Sequence, residues 1–285
     1  MAVHDIELTL PGQRFAARTW GGESLPKLLA LHGWLDNAAS FDALAPLLCR
    51  HFHIVAIDFP GHGRSDWRPP GTWYHYVDYL SDALAAADAL GWQRFGLLGH
   101  SLGAASASML AGACPARVER LLLIEGLGPL TQAPEQTLGL LQRAFAERGA
   151  AADKSPRVFA DLDDAVTARM RANELSRAAA RMLVERGVRL IDGGLTWSTD
   201  PRLLLASPVR NTEEQVLSVL RGIRAPTGLI LAEPEQPYMP RAVMDRRIAQ
   251  VADIEVVRLV GTHHLHMENA APVAAELLRF RAAII

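Results

Sequence analysis

The stretch Gly99-His100-Ser101-Leu102-Gly103 lies between an apolar segment, Phe95–Leu98, and a run of small residues, Gly103–Ala113. The apolar segment predicts a buried strand, and the small residues predict a helix that packs closely behind it. A serine flanked in this way is typical of a nucleophile elbow, where a turn from strand to helix exposes the hydroxyl above the sheet. The turn is so tight that the positions two before and two after the serine must lack a side chain, and both are glycine. We therefore predict that Ser101 is a nucleophile on a strained backbone.

A second turn follows the apolar segment Lys27–Leu31, which predicts a strand that ends at His32 and Gly33. Beside a serine nucleophile, such a turn supplies one donor of an oxyanion hole. We predict that the N–H groups of Trp34 and Leu102 converge on one point, where each stabilises a transition state by about 3 kcal/mol. The alternative is that the two residues after the strand only terminate it.

The general base is predicted in the segment Gly261–Glu268, which follows the apolar strand Ile254–Val260. A histidine in a loop after the last strand gives the chain order serine, acid, histidine. We choose His263 because a glycine lies two residues before it and a glutamate five residues after it. His264 and His266 are expected to line the pocket or to support the loop. A zinc site formed by the three histidines is the alternative, but no partner cluster at metal-binding spacing accompanies them, so we predict no metal.

Two carboxylates compete to be the third member of the triad, which must accept the Nδ1–H of the histidine. Glu125 directly follows the strongly apolar strand Leu121–Ile124, whereas Glu235 lies three residues past the strand Thr227–Ala232, between two prolines. Both preserve the chain order. A carboxylate at the end of a strand has the better-defined position, so we favour Glu125 and keep Glu235 as the alternative.

The chain as a whole resembles the α/β-hydrolase superfamily, and specifically its serine hydrolase-like proteins. The resemblance rests on motifs that occur in the expected order along most of the chain: Leu31–Asp42, Ala56–Ser65, the Ser101 elbow, Leu123–Gly126 and Gly261–Met267. It implies an α/β fold with an eight-stranded, mostly parallel sheet flanked by helices, and a helical cap inserted after the sixth strand. In such relatives the loop after the seventh strand does not always carry an acid, which is why Glu125 ranks ahead of Glu235. The resemblance implies no particular substrate.

Strand and helix signals divide the chain into a core and an insertion. After an opening antiparallel hairpin, apolar segments alternate with helical patterns, as in the βαβ units of a parallel sheet. From residue 128 to about 208 the strand signal stops and helical patterns follow. We therefore predict a core of residues 1–127 and 209–285 and a helical cap of residues 128–208. The predicted helices include Ala39–Leu48, Tyr79–Leu90, Leu138–Glu147, Leu162–Glu174 and Ala178–Arg186.

Composition and charge narrow the range of partners. A net charge of −2 and an isoelectric point near 6.6 argue against a nucleic-acid surface. Met1–Leu10 lacks the pattern of a secretory signal, and no stretch approaches about eighteen uninterrupted apolar residues, so we expect a cytoplasmic protein without a membrane span. Cys49 and Cys114 are expected to be small buried residues rather than a disulfide. The oligomeric state is left open.

These residues predict acyl transfer to water through a Ser-His-Glu triad and an acyl-enzyme, with no metal or organic cofactor. A serine rather than an aspartate at the elbow argues against haloalkane dehalogenase and epoxide hydrolase chemistry. We expect a carboxylic ester hydrolase acting on a small or medium-sized apolar acyl substrate. A thioesterase or a C–C bond hydrolase is the first alternative, because these reactions use the same catalytic residues. A ligand-binding protein without turnover is the second.

Aromatic, histidine and methionine side chains are candidates for the wall of the substrate pocket. The residues predicted to line it are His32, Phe41, His100, Trp197, Tyr238 and Met239. The expected substrate is a small-molecule ester or thioester. A thioesterase that accepts an acyl carrier would need a basic docking surface near the pocket mouth. The cap arginines that would supply it are Arg169, Arg171, Arg177 and Arg181.

Overall fold

An eight-stranded sheet forms the centre of the computed structural model, which describes residues 3–150 and 157–280. The strands are β1 His4–Leu10, β2 Gln13–Trp20, β3 Lys27–Leu31, β4 His53–Ile57, β5 Phe95–His100, β6 Val118–Ile124, β7 Val188–Ile191, β8 Gly194–Trp197, β9 Thr227–Glu233 and β10 Ile254–Val260. In space, the large sheet has the order β1-β2-β4-β3-β5-β6-β9-β10, and β7 and β8 form a separate hairpin. β2 pairs antiparallel with β1 and β4, and the other neighbours in the large sheet are parallel. The predicted eight-stranded, mostly parallel sheet is confirmed.

Helices cover both faces of this sheet. Within the described residues they are α1 Ala45–Leu48, α2 Tyr76–Ala89, α3 Leu102–Ala113, α4 Thr137–Ala150, α5 Leu162–Asn173, α6 Arg177–Gly187, α7 Glu213–Leu220, α8 Arg241–Ile248, α9 Leu265–Glu268 and α10 Ala270–Arg279. One apolar cluster joins a face of the sheet to α2, α3, α7 and α8, and a second joins the opposite face to α1 and α10. The central strand β5 is buried along its whole length, because helices cover it on both faces. Such strands are typically apolar throughout.

The chain after β3 forms two short turns instead of the predicted helix Ala39–Leu48. A 3₁₀ turn over Ala38–Phe41 begins at Asn37, whose side chain accepts a backbone N–H of that turn at 3.0 Å. The helix α1 starts separately, with Pro46 in its first turn. Proline is favoured there because the first amides of a helix have no partner within it. The prediction of one continuous helix is therefore wrong, although the apolar pattern it rested on is buried.

The insertion, by which we mean residues 128–208, lies between β6 and β9. It contains α4, α5, α6 and the hairpin of β7 and β8. The three helices agree with the predicted ones to within a few residues, whereas the hairpin is not predicted because its strands have only four residues each and are partly exposed. Asp192 and Gly193 form its turn, and Gly193 and the first strand residue after it, Gly194, have φ of +87° and +144°, which favour glycine. The division of the chain at residues 128 and 208 stays a prediction.

Two ion pairs attach the insertion to the loops after β3 and β4. Arg169 of α5 donates to Asp36 at 2.5 Å, and Arg186 of α6 donates to both oxygens of Asp58 at 2.9 and 3.0 Å. The side chains of Asp36, Asp58 and Arg186 are almost completely buried. Buried charges of this kind are stable only when they are paired. The ion pairs therefore hold α5 and α6 against the carboxyl-terminal edge of the sheet.

The described residues include two free cysteines and no membrane-spanning helix. No helix among them is long and apolar enough to cross a membrane. Cys49 is a buried free thiol, and Cys114 is a half-buried free thiol.

Candidate active site

Ser101 occupies the turn between β5 and α3, as predicted. Its backbone has a φ of +53° and a ψ of −114°, outside the regions that a residue with a side chain prefers. Only glycine fits at the two flanking positions. A Cβ on Gly103 would overlap the carbonyl oxygen of Leu31, and a Cβ on Gly99 would lie 2.5 Å from the backbone of α3. Strain of this kind costs about 1–3 kcal/mol and persists only where the surrounding packing imposes it.

A chain of hydrogen bonds joins Ser101, His263 and Glu125. The Nε2 of His263 lies 2.9 Å from Ser101 Oγ, and its Nδ1 lies 3.0 Å from Glu125 Oε2. With its proton on Nδ1, the imidazole donates to the carboxylate and accepts from the serine hydroxyl. The other carboxylate oxygen accepts the N–H of Ala232 at 2.5 Å. Both oxygens of the buried Glu125 side chain are therefore held in place.

Glu235, the alternative acid, lies away from this chain of hydrogen bonds. Its side chain is exposed and accepts the backbone N–H of Arg241 at 2.9 Å. Glu125 directly follows the pairing of Ile124 with Ile230, where β6 and β9 run side by side, and it has a φ of +56°. Of the two candidate acids, the structure brings Glu125 to His263.

The environment of His263 favours the neutral imidazole. Burial lowers the pKa of His263 below its usual value of 6.5, while the hydrogen bond to Glu125 acts in the opposite direction. The neighbouring ring of His100, whose centroid is 4.8 Å from that of His263, also lowers this pKa. The neutral form is the one that can accept a proton from a serine hydroxyl.

Two backbone amides predicted to form an oxyanion hole belong to residues that line the same cavity as Ser101. Leu102 is the first residue of α3, where helix amides lack a partner within the helix. Trp34 lies in the turn after β3, which continues through Leu35 at a φ of +62°. In the part of the chain that the structure describes, the Trp34 amide has no backbone acceptor. The structure therefore brings both residues to the cavity that contains Ser101.

A cavity of about 910 Å³ opens beside Ser101 and His263. Of the predicted wall residues, His100, Tyr238 and Met239 line it. Much of the remaining wall is apolar and comes from Tyr76, Leu102, Leu130, Leu203, Leu204, Leu205, Val209, Val243 and Met244. The segment 203–209 was not predicted to line the pocket, because its main signal is three consecutive leucines without the period of a helix or a strand.

Three predicted wall residues lie outside this cavity, and those predictions are wrong. The ring of His32 is fully buried, where its Nε2 accepts the Phe59 N–H at 3.0 Å and burial lowers its pKa to about 4. Phe41 packs in the core on the α10 side of the sheet. Trp197 packs against Phe159 inside the insertion, with 4.8 Å between ring centroids. Each side chain finds its partner in a neighbouring element, which a single sequence does not reveal.

The three histidines after β10 do not converge on one point. Both ring nitrogens of His263 face triad partners, as described above. The Nε2 of His266 lies 2.7 Å from Ser40 Oγ. His264 is directed elsewhere, toward the loop after β3, so these three side chains do not form the zinc site considered as an alternative.

Asp36 in that loop faces two histidines instead. Its Oδ2 lies 3.4 Å from His264 Nε2 and 3.5 Å from His100 Nδ1. Burial alone would raise the pKa of Asp36, but the two histidines and Arg169 hold it well below the usual range. The carboxyl is therefore ionised, and among the described residues this trio is a group whose donor atoms are close enough to share a metal ion.

The sheet topology and the serine elbow are those of a known family. Residues 28–276 match the model of the alpha/beta hydrolase family, so the chain belongs to that family. A serine hydrolase-like protein of Dictyostelium discoideum is 32% identical over 94% of this chain and 79% of its own length. Serine hydrolase-like protein 2 of Homo sapiens is 30% identical over 98% of this chain and 94% of its own length. Within the family, the chain is a serine hydrolase-like α/β hydrolase, as its motifs predict.

Solved structures share the whole fold. A hypothetical protein of Pseudomonas aeruginosa is 42% identical and has a TM-score of 0.90, covering 98% of each chain. The thioesterase domain from the curacin biosynthetic pathway is 25% identical and has a TM-score of 0.84, covering 98% of this chain and 100% of that domain.

Proposed function

We propose that the chain is a carboxylic ester hydrolase that acts on a small or medium-sized apolar acyl substrate. The proposal rests on the unbroken hydrogen-bonded chain from Ser101 through His263 to Glu125, beside an open cavity. Acyl transfer needs a nucleophile, a base within hydrogen-bond reach and a group that orients the base. These three residues have the chemistry and the spacing for those roles.

Acylation begins when His263 Nε2 takes the proton of the Ser101 hydroxyl as Oγ attacks the carbonyl carbon. Glu125 accepts the hydrogen bond from the Nδ1–H of the imidazole throughout and stabilises the imidazolium that forms. The carbonyl electron pair moves to oxygen, and it returns when the leaving alkoxide departs with the proton from Nε2. Water, deprotonated by the same imidazole, then attacks the acyl-enzyme, and the acid leaves with Ser101 restored.

We assign the oxyanion hole to the N–H groups of Trp34 and Leu102. The amide of Leu102 lies at the N-terminal end of α3, where the helix dipole favours negative charge. A fixed donor of this kind stabilises the developing oxyanion by about 3 kcal/mol, because its orientation costs nothing at the moment of reaction.

The apolar wall supports an uncharged acyl chain as the substrate group. A cavity of about 910 Å³ lies near the upper end of the range of ligand pockets, roughly 300–1,000 Å³. Exposed apolar side chains continue the wall outward, namely Trp34, Leu130, Leu204, Val209 and Tyr238. We therefore expect kcat/KM to be highest for esters of medium-length acids and lower for acetate.

A thioester is the second candidate substrate. The thioesterase domain described above supports it, and so do Arg143 and Arg210, which line the cavity. None of the four arginines predicted to form a docking surface lines the cavity, although Arg171 is exposed on α5. Arg169 is held inside the protein by its ion pair, and Arg177 and Arg181 share one aspartate carboxylate. A docking surface for an acyl carrier would therefore be built around Arg143 and Arg210.

Hydrolysis of p-nitrophenyl esters from acetate to palmitate tests the proposal, with N-acetylcysteamine thioesters of the same acids in parallel. Ser101→Ala should lower kcat by about 10⁶-fold, as loss of the nucleophile does in a serine protease. Ser218→Ala, which alters an exposed serine on α7, is the matched control and should behave as wild type. Ester turnover that survives in Ser101→Ala would refute the proposal. Tight ligand binding without turnover by the folded wild type would support the ligand-binding alternative.

A further inference from the structure

Asp36, His100 and His264 form a compact group beside the triad. One donor atom from each lies within 4.8 Å of the other two, and all three side chains are buried. All three also line the cavity that contains Ser101. The acyl transfer described above uses none of these side chains as nucleophile, base or oxyanion donor.

The ring of His100 is oriented like that of a metal-binding histidine. Its Nε2 lies 2.9 Å from the carbonyl oxygen of His263 and donates to it, so Nδ1 is the ring nitrogen that faces the other two side chains. That Nδ1 is buried and has no hydrogen-bond partner among the described residues. Metal-binding histidines commonly donate their other ring N–H to a carbonyl or a carboxylate in this way. This Nδ1 lies 3.5 Å from Asp36 Oδ2, a separation that two ligands of one metal ion can have.

Asp36 is held so that one oxygen stays available. Its Oδ1 accepts from Arg169 at 2.5 Å, whereas Oδ2 lies 3.5 Å from His100 Nδ1 and 3.4 Å from His264 Nε2. Neighbouring ligands of a tetrahedral zinc ion, with bonds of about 2.0–2.1 Å, are about 3.3–3.4 Å apart. The two separations from Asp36 are close to this value, and the two histidine nitrogens lie within 4.8 Å of each other.

We propose that Asp36 Oδ2, His100 Nδ1 and His264 Nε2 bind one Zn²⁺ ion, with the fourth coordination position toward the cavity. Two imidazoles and one carboxylate are ligands that zinc accepts readily, and three protein ligands leave one position open. Mg²⁺ and Ca²⁺ prefer oxygen ligands alone and are not expected to bind. Because Arg169 already balances the charge of Asp36, we expect an anion such as chloride or hydroxide to be the fourth ligand.

Zinc at this position would slow the turnover proposed for Ser101. His264 directly follows His263 in sequence, and the ring centroids of His100 and His263 are 4.8 Å apart. Because all three proposed ligands line the cavity that contains Ser101, a bound ion and its fourth ligand would obstruct the approach of an ester to the nucleophile. This consequence rests on the proposed function, whereas zinc binding itself does not.

Calorimetric titration of the full chain with ZnCl₂ tests the site. We expect one zinc ion per chain and an affinity at least about tenfold lower in Asp36→Asn and in His264→Gln, because even the loss of an outer partner of a metal ligand costs about 10–100-fold. His51→Gln removes an exposed histidine outside the site and is the matched control, with wild-type affinity expected. Titration with MgCl₂ should give no binding heat. Circular dichroism checks the fold of each variant, and if Asp36→Asn unfolds, His264→Gln alone decides.

Equal zinc affinity in wild type and His264→Gln would overturn the proposal, and so would the absence of binding to wild type. Inhibition of ester hydrolysis is measured separately. Zinc should inhibit the wild type at a concentration at least about tenfold lower than it inhibits His264→Gln, and EDTA should restore activity. A chain that binds zinc as expected but hydrolyses no ester would refute the proposed function alone. A chain that hydrolyses the ester but does not bind zinc, or binds it equally well without His264, would refute the zinc site and leave the proposed function intact.

Discussion

Replacement of Glu125 by glutamine tests the identity of the triad acid directly. The size of the side chain is kept, but its two terminal atoms are no longer equivalent. In the wild type both carboxylate oxygens accept, Oε2 from His263 at 3.0 Å and Oε1 from the Ala232 N–H at 2.5 Å. A glutamine amide offers one acceptor and one donor group. It therefore cannot satisfy both of these N–H donors at once.

Each orientation of the glutamine carries a distinct cost. If its NH₂ group faces Ala232, two buried donors meet, and the unmade hydrogen bond costs about 1–3 kcal/mol of stability. If the NH₂ group faces His263, the imidazole must place its proton on Nε2 and cannot accept the proton of Ser101. The corresponding acid-to-amide change in a serine protease triad lowers kcat about 10⁴-fold, or about 5.4 kcal/mol in the activation free energy. We expect a loss of this size in Glu125→Gln.

Steady-state kinetics on the best p-nitrophenyl ester measures this effect. Glu235→Gln is the matched control, because Glu235 is exposed and binds the backbone of Arg241 instead of the histidine. Its kcat should stay within about twofold of wild type, as expected for a surface substitution. A kcat of Glu125→Gln within tenfold of wild type, or a larger loss in Glu235→Gln, would refute the assignment.

Three further predictions concern the free energy of unfolding, measured in urea. Burial raises the pKa of Asp82 to about 6 against the opposing effect of Arg68. The fold therefore favours the protonated carboxyl, and the contribution of Asp82 to stability should fall by up to about 3 kcal/mol as the pH rises from about 4 to 6, so the difference between wild type and Asp82→Asn should change by this amount. Gly103→Ala should destabilise the chain by about 3 kcal/mol or more, because its Cβ would overlap a carbonyl oxygen of β3. Arg186→Met should cost about 3–5 kcal/mol, because it leaves Asp58 buried without its ion pair.

Matched variants separate these causes from general sensitivity to substitution. A Cβ on Gly22 would meet no atom within 4 Å, so Gly22→Ala should change stability far less than Gly103→Ala. Arg171 is exposed on α5, so Arg171→Met should stay within about 0.5 kcal/mol of wild type. Equal losses within either pair would contradict the reasoning, as would parallel pH curves for wild type and Asp82→Asn.

The serine elbow could be predicted from the sequence because its constraints are local. Strand, glycine, serine, glycine and helix follow one another directly, and the space around Gly99 and Gly103 leaves no room for a Cβ. The order of strands along the chain likewise followed from apolar segments separated by helical patterns. His263 could be chosen from spacing within one loop. These features depend on residues close together in sequence.

The triad acid and the cavity wall depend on contacts between distant segments. Glu125 is held by Ala232, at the far side of the insertion in sequence, and nothing near Glu125 in the sequence indicates that partner. Trp197 was expected in the pocket because it is aromatic, but Phe159 covers it within the insertion. The segment 203–209 lines the cavity without any periodic pattern. The residue type shows which side chains suit a pocket wall, but the packing of the insertion determines which of them line the cavity.

The ion pairs of the insertion bear on how substrates reach Ser101. Arg169 and Arg186 bind buried aspartates in the loops after β3 and β4. Moving α5 or α6 away from the sheet would leave those carboxylates buried and unpaired, and each broken pair would cost about 3–5 kcal/mol. Opening of the cavity by displacement of α5 and α6 is therefore strongly disfavoured.

A hydrogen bond joins α4 to the segment 203–209 at the edge of the cavity. Glu147 of α4 accepts the backbone N–H of Ala206, and the apolar side chains of Leu138 and Phe145 on the same helix remain exposed. Breaking this bond alone costs little, because water can replace it, whereas Leu140 and Ala144 keep the inner face of α4 buried. The exposed apolar residues at the edge of the cavity, Leu204 and others of that segment, lie on this side. We therefore expect the segment 203–209, rather than α5 and α6, to move when a substrate enters the cavity, while the ion pairs of α5 and α6 keep the catalytic end in place.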